Sequence, residues 1–156
     1  MTHWTCMIKT FVFTTTMFFI GILPAIASGH FVTKIKLPSG QMVVVAEGEF
    51  EARSIGSFSV RLYQAASGGN ETTFFSSGLI RSRDGVIEKV ELADINGDEQ
   101  VEIIVIVRSV GTGGYLSAQA FMVGEDQQLV PASIVEGLQA EADPVAALRK
   151  SESREE

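Results

Sequence analysis

Two short stretches concentrate the residue types that do chemistry. In Asp94-Ile95-Asn96-Gly97-Asp98-Glu99-Gln100-Val101-Glu102, oxygen-bearing side chains fall at positions 1, 3, 5 and 9 of a loop, with a backbone carbonyl available at position 7. A hard cation such as calcium gathers six to eight oxygens at short range, which makes Asp94, Asn96, Asp98 and Glu102 the candidate metal ligands. The same side chains are suited to accept backbone amides in an Asx-rich turn that joins two strands without metal. An EF-hand is the weaker version of the metal reading, because its twelfth position would fall on Val105 and no helices flank the loop. The second stretch is Arg108-Ser109-Val110-Gly111-Thr112-Gly113-Gly114-Tyr115. Three glycines within four residues allow positive φ angles and close backbone approach, so this loop can project as a narrow finger tipped by a hydroxyl and an aromatic ring.

Several chemistries fail at the finger. A phosphate cradle would need a lysine in Walker-A spacing and a helix starting there, and neither is present. Thr112 as a nucleophile would need a base. Paired carboxylates could act on a glycoside, but the clustered ones lie in the acidic turn, where metal binding or capping accounts for them. That turn also resembles the calcium loops of integrin-like repeats, in which a similar loop leads into an apolar strand, here residues 103–107. It departs from them in having Glu99 where a glycine is usual, and in occurring once.

The elements that position these residues belong to an exported chain. Lys9 and the amino terminus are positive, residues 11–26 form an apolar run, and Ala25-Ile26-Ala27 fits a small-x-small cleavage site, so residues 1–27 are expected to be a secretory signal peptide removed after Ala27. The run is short for an uncleaved membrane anchor and has Pro24 near its end. No cysteine stands at the junction for lipid attachment, so no stable membrane insertion is expected after cleavage. Cleavage also removes Cys6 and Trp4, leaving residues 28–156 with no thiol, no disulfide and one histidine, His30. A catalytic base for Thr112 is therefore hard to find, and the chain is expected not to be an enzyme. Such a domain must rest on its hydrophobic core, and 156 − 27 = 129 residues suffice for one. Its charge is 12 − 1 = 11 basic against 19 acidic residues, or −8 with histidine neutral. That excludes nucleic acid and anionic lipid surfaces, which rely on clustered lysine and arginine, and suits solubility or a basic partner.

Most of residues 28–156 read as strands between turn signals. Residues 31–37 end at the Pro38-Ser39-Gly40 turn and pair with the valine-rich 41–46. In 57–63, Phe58, Val60 and Leu62 share one face and Ser59, Arg61 and Tyr63 the other. Further strands are predicted at 72–80, at 86–92 after an Asp84-Gly85 turn, at 101–107, at 115–123 and at 128–130. The nearly all-apolar 101–107 suits a central strand covered on both faces. In 86–92, Val86, Glu88, Val90 and Leu92 should oppose Ile87, Lys89 and Glu91. Residues 143–150 read as a helix capped by Asp143 with Pro144 in its first turn, and the charged tail from about 151 should fray. The pattern is mainly β: a single-domain antiparallel β-sandwich or compact sheet structure with a short C-terminal helix.

The leader, the 94–102 turn, the apolar strand ending in Arg108-Ser109, and Thr112-Gly113-Gly114-Tyr115 together resemble the periplasmic inhibitors of i-type (invertebrate) lysozyme, most clearly over residues 92–123. That family carries a Ser-Gly-x-Tyr loop motif, matched in order by Thr112, Gly113, Gly114 and Tyr115, with threonine in place of the typical serine. Threonine keeps the hydroxyl and adds a methyl group. The resemblance implies a periplasmic, non-catalytic partner of i-type lysozyme; no cofactor is expected other than calcium, should the acidic turn bind it. It implies that the loop enters the active cleft, with Thr112 Oγ1 and Tyr115 OH bonded to the catalytic carboxyls, Gly113 and Gly114 shaping the loop, and Arg108 orienting it or meeting the enzyme. Ser67-Gly68-Gly69-Asn70 is either a second probing loop beside the first or a plain turn. An exposed sheet edge allows a homodimer. The alternative function is a calcium-binding envelope adhesion or structural module built on the acidic turn.

Overall fold

The computed structural model describes residues 29–154. The predicted signal peptide and its cleavage after Ala27 lie outside the described residues, as do Glu155 and Glu156. Eight strands and one helix follow in chain order: β1 (Val32–Lys36), β2 (Met42–Glu47), β3 (Ile55–Tyr63), β4 (Phe75–Asp84), β5 (Val86–Ala93), β6 (Glu102–Arg108), β7 (Leu116–Val123), β8 (Leu129–Leu138) and α1 (Pro144–Glu152). They form two antiparallel four-stranded meanders, β1-β2-β3-β4 and β5-β6-β7-β8, so the expected mainly β fold with a short C-terminal helix is the one adopted.

Alternation explains the core. Phe58, Val60 and Leu62 of β3 are fully buried and meet Ile103, Val105 and Val107 of β6 in one cluster between the sheets, where the Phe58 and Phe121 rings pack edge to face at 6.2 Å. The other face of β6 is buried too. Ile104 and Ile106 join Leu116, Ala118 and Leu148 in a second cluster beneath α1, which is why 102–107 shows no alternation. Asp143 caps α1 by accepting from the amides of Val145 and Ala146, at 3.0 and 3.2 Å. The helix runs two residues past the predicted Lys150, and Ser151, expected to fray, lies 3.0 Å from Ser133 of β8 through its hydroxyl.

The expected Asp84-Gly85 turn is present and is a corner between the two sheets: Gly85 alone links β4 to β5, with φ +127° and its amide 2.8 Å from the Ser54 carbonyl. Three sequence expectations are corrected. A bulge at Glu88, between Ile87 and Lys89, breaks the alternation of β5, so Ile87, Val90 and Leu92 all pack on the same core. The strand predicted at 72–80 is β4, shifted to Phe75–Asp84, because 70–73 closes a turn with the Thr73 amide on the Asn70 carbonyl. The short strand at 128–130 runs on to Leu138, through Pro131, which an edge strand tolerates.

Antiparallel order sorts the loops into two sets. One end of the sandwich carries residues 48–54, the Gly85 corner, residues 109–115 and residues 139–143. The other carries the turn after β1, residues 64–74, the acidic turn at 94–101 and the turn after β7. There Gln127 is bonded to Gln41 at 2.6 Å and to Ser76 at 3.1 Å, tying the two sheets.

Candidate functional site

The finger is a closed, braced loop. Past the end of β6, the Ser109 amide donates to the Tyr115 carbonyl at 2.9 Å, and the Gly114 amide to the Gly111 carbonyl at 3.1 Å, nesting one turn inside another. Gly114 sits at φ +54°, in the left-handed region that favours glycine. Gly113 lies under the Tyr115 ring, where any Cβ would collide with it. The motif therefore has a steric reason: the ring rests on bare backbone, so it is held in place while half of the residue stays exposed.

Thr112 is exposed, and neither its hydroxyl nor that of Tyr115 is bonded within the described residues. Two donors thus stand on a rigid loop without internal partners. Val110 beside them is 55% exposed.

Arg108 braces the loop from below. Its Nη1 donates to the Gly114 carbonyl at 2.9 Å and to the Ala140 carbonyl at 3.5 Å, while Nε and Nη2 form a two-pronged ion pair with Glu88, the second prong at 3.1 Å. The hydrogen bond from Arg108 holds the Glu88 carboxyl below the usual carboxylate range, and Glu88 in turn pushes the guanidinium up. Glu88 reaches Arg108 because the bulge redirects it. The sequence reading missed Glu88 and Ala140 as parts of this site: the strand pattern placed Glu88 beside Val90 and Leu92, and nothing local links residue 140 to residue 108.

The acidic turn lies at the opposite end of the sandwich. Asp94 accepts the amides of Gly97 and Glu99 at 2.6 and 3.1 Å, Asn96 that of Asp98 at 3.0 Å, and Asp98 that of Gln100 at 2.8 Å. Those amides hold the Asp94 carboxyl low, Gly97 most of all. Glu102 is buried, accepts the Ile95 amide at 2.9 Å, and is pushed up by that burial and by Asp98 and Asp94. Among the described residues no three histidine, cysteine or acidic side chains are placed to hold a metal ion. The donor set as arranged fits a self-capped turn. A recess of about 520 Å³ beside it, lined by residues such as Leu37, Gln41, Asp98 and Met122, is also remote from the finger.

Ser67-Gly68-Gly69-Asn70 lies in the connection from β3 to β4, at the acidic-turn end. It cannot stand beside the finger as a second probe. Residues 48–54 are among the connections that do share the finger's end.

Comparison with known proteins agrees with the overall fold. The profile of the family described as periplasmic lysozyme inhibitor of I-type lysozyme matches residues 29–152. The crystal structure of PliI-Ah, the periplasmic lysozyme inhibitor of I-type lysozyme from Aeromonas hydrophila, is similar at a TM-score of 0.72 and 44% identity, over 76% of this chain and 98% of that one. Aeromonas hydrophila PliI in complex with Meretrix lusoria lysozyme is similar at 0.70 and 44%, over 76% and 95%. No curated protein matches.

Proposed function

The chain belongs to the family of periplasmic inhibitors of I-type lysozyme, and from that premise we propose that it inhibits such an enzyme by inserting residues 109–115 into the active cleft. Its role is one of binding rather than catalysis, in the periplasm, and no helix among the described residues is long and apolar enough to cross a membrane. The partner follows from the relative seen in complex with Meretrix lusoria lysozyme.

Glycosidases of this kind work with a carboxylic acid and a carboxylate facing each other across a sugar-binding cleft. Thr112 Oγ1 and Tyr115 OH donate to those two groups, and the loop has no glycosidic bond to be cut. The observation that carries this reading is the pair of unpartnered hydroxyls on a loop already held in shape by its own amides and by Arg108. Little ordering entropy is then left for binding to overcome. Hydrogen bonds to charged groups contribute roughly 1.5–3 kcal/mol each. At about 1.4 kcal/mol per tenfold, two give about two to four orders of magnitude in affinity. The Tyr115 ring adds buried area with a polar tip, the combination typical of an interface anchor.

Variants that remove a hydroxyl and keep the shape test the mechanism. Tyr115→Phe and Thr112→Val should each weaken binding about 10- to 100-fold by calorimetric titration. Wild-type affinity in both would refute the hydroxyl contacts. The calcium-dependent envelope module gains no comparable support, since the oxygens of the 94–102 turn are engaged by its own amides.

A further inference from the structure

Residues 48–54 share the finger's end of the sandwich, and their base touches the finger's base. The Ser54 carbonyl accepts the Gly85 amide at 2.8 Å, and Gly85 lies so close to Arg108 that a Cβ there would collide with the Arg108 carbonyl. The loop is firmly held. Arg83, buried at this end, donates to the carbonyls of Ala52 and Arg53 at 3.1 and 2.9 Å and to that of Gly85, while Glu51 accepts both the amide and the hydroxyl of Ser57.

At the tip of this anchored loop stands Phe50, 100% exposed, with its backbone at φ +63°. For a bulky residue the left-handed region is a real outlier, and such strain persists where the surroundings impose it, often at contact sites. A phenyl ring on a braced mount, turned fully to water, is unexplained by packing among the described residues. The same end also presents Ile55 and Val110, 65% and 55% exposed.

We propose that Phe50 is a second lysozyme contact, seating on an apolar patch of the enzyme's surface outside the catalytic cleft while residues 109–115 occupy it. The proposal rests on the cleft-insertion reading above, because the occupant is inferred from the continuity of this apolar end with the finger. An aromatic side chain with no conformational cost of ordering its loop is the type of residue that carries binding energy at an interface. Losing it acts chiefly on dissociation, since contacts of this kind form after encounter.

The informative substitution is Phe50→Gly. Glycine adopts the positive φ freely, so the fold is expected to keep or raise its Tm, and any loss of binding is then a loss of contact. Surface plasmon resonance of the chain against an I-type lysozyme such as that of Meretrix lusoria, with Tyr115→Phe run in parallel, should show koff rising about 5- to 20-fold for Phe50→Gly with kon nearly unchanged. Phe50→Leu should restore most of the affinity. A Kd for Phe50→Gly within about twofold of wild type while Tyr115→Phe binds weakly would overturn the second contact and leave the finger reading intact. Wild-type binding by both variants would overturn the two together.

Discussion

At the scale of single residues, the division of labour at the finger separates touching from holding. Thr112 and Tyr115 offer groups outward, whereas the Arg108 guanidinium is engaged with Glu88, Gly114 and Ala140. Of the two roles the resemblance implied for Arg108, orienting the loop or meeting the enzyme, these bonds accord with the orienting one. The ion pair is about one-third exposed on both sides, so its worth to stability is small, and its two-pronged geometry matters more for orientation. Because the carboxyl of Glu88 is lowered in the folded state, its contribution is present above the ordinary value of 4.5 and is lost as pH falls through the lowered value. The brace is therefore intact across about pH 5–8. Glu88→Gln should weaken lysozyme binding several-fold with little change in Tm at neutral pH, measured by titration and scanning calorimetry side by side. A lowered Tm with unchanged affinity would make the pair a fold contact instead.

At the scale of elements, the legible parts were those in which one strand carries its own pattern. The alternation of Phe58, Val60 and Leu62 and the unbroken run from Ile103 to Val107 announced a one-sided and a two-sided strand, and Asp143-Pro144 announced the helix start. Features that arise between elements were hidden. The bulge at Glu88 exists only relative to β6, and the Gly85 corner only because β5 joins the other sheet. Substituting Gly85 tests the corner: Gly85→Ala meets both a positive φ and the Arg108 carbonyl, and should cost on the order of 3 kcal/mol in chemical denaturation. Near-wild-type stability would mean that the corner relaxes easily. The acidic turn gives a second test. Glu102 is raised in the folded state, so its favourable contribution is complete below the unfolded value and is lost as pH rises through the folded one. At neutral pH its ionised form is thus the penalised one. Glu102→Gln keeps an oxygen for the Ile95 amide, and its Tm at pH 7 should equal or exceed that of wild type; a clear fall would show that the charge itself is required there.

At the scale of the whole molecule, two meanders joined by a one-residue corner put the finger, the Phe50 loop and Arg83 at one end, and the acidic turn with Ser67-Gly68-Gly69-Asn70 at the other. Sequence alone located both candidate stretches but not their separation, because which loops share an end depends on how the sheets are joined. The consequence is measurable. Asn70→Ala and Asp98→Ala, far from the finger, should leave inhibition within about twofold of wild type, a limit expected of distant, independent sites. The net charge of −8 predicted for residues 28–156 fits an exported binding protein and carries no information about the site's shape. What the account stands on most heavily is occupation of a lysozyme cleft by a braced finger. The most direct measurement is a turbidimetric lysis assay in which residues 28–156 are titrated separately against i-type, c-type and g-type lysozymes. The account predicts stoichiometric loss of the i-type activity near an equimolar ratio, with the other two classes spared. Full lytic activity of the i-type enzyme in the presence of excess protein would contradict it.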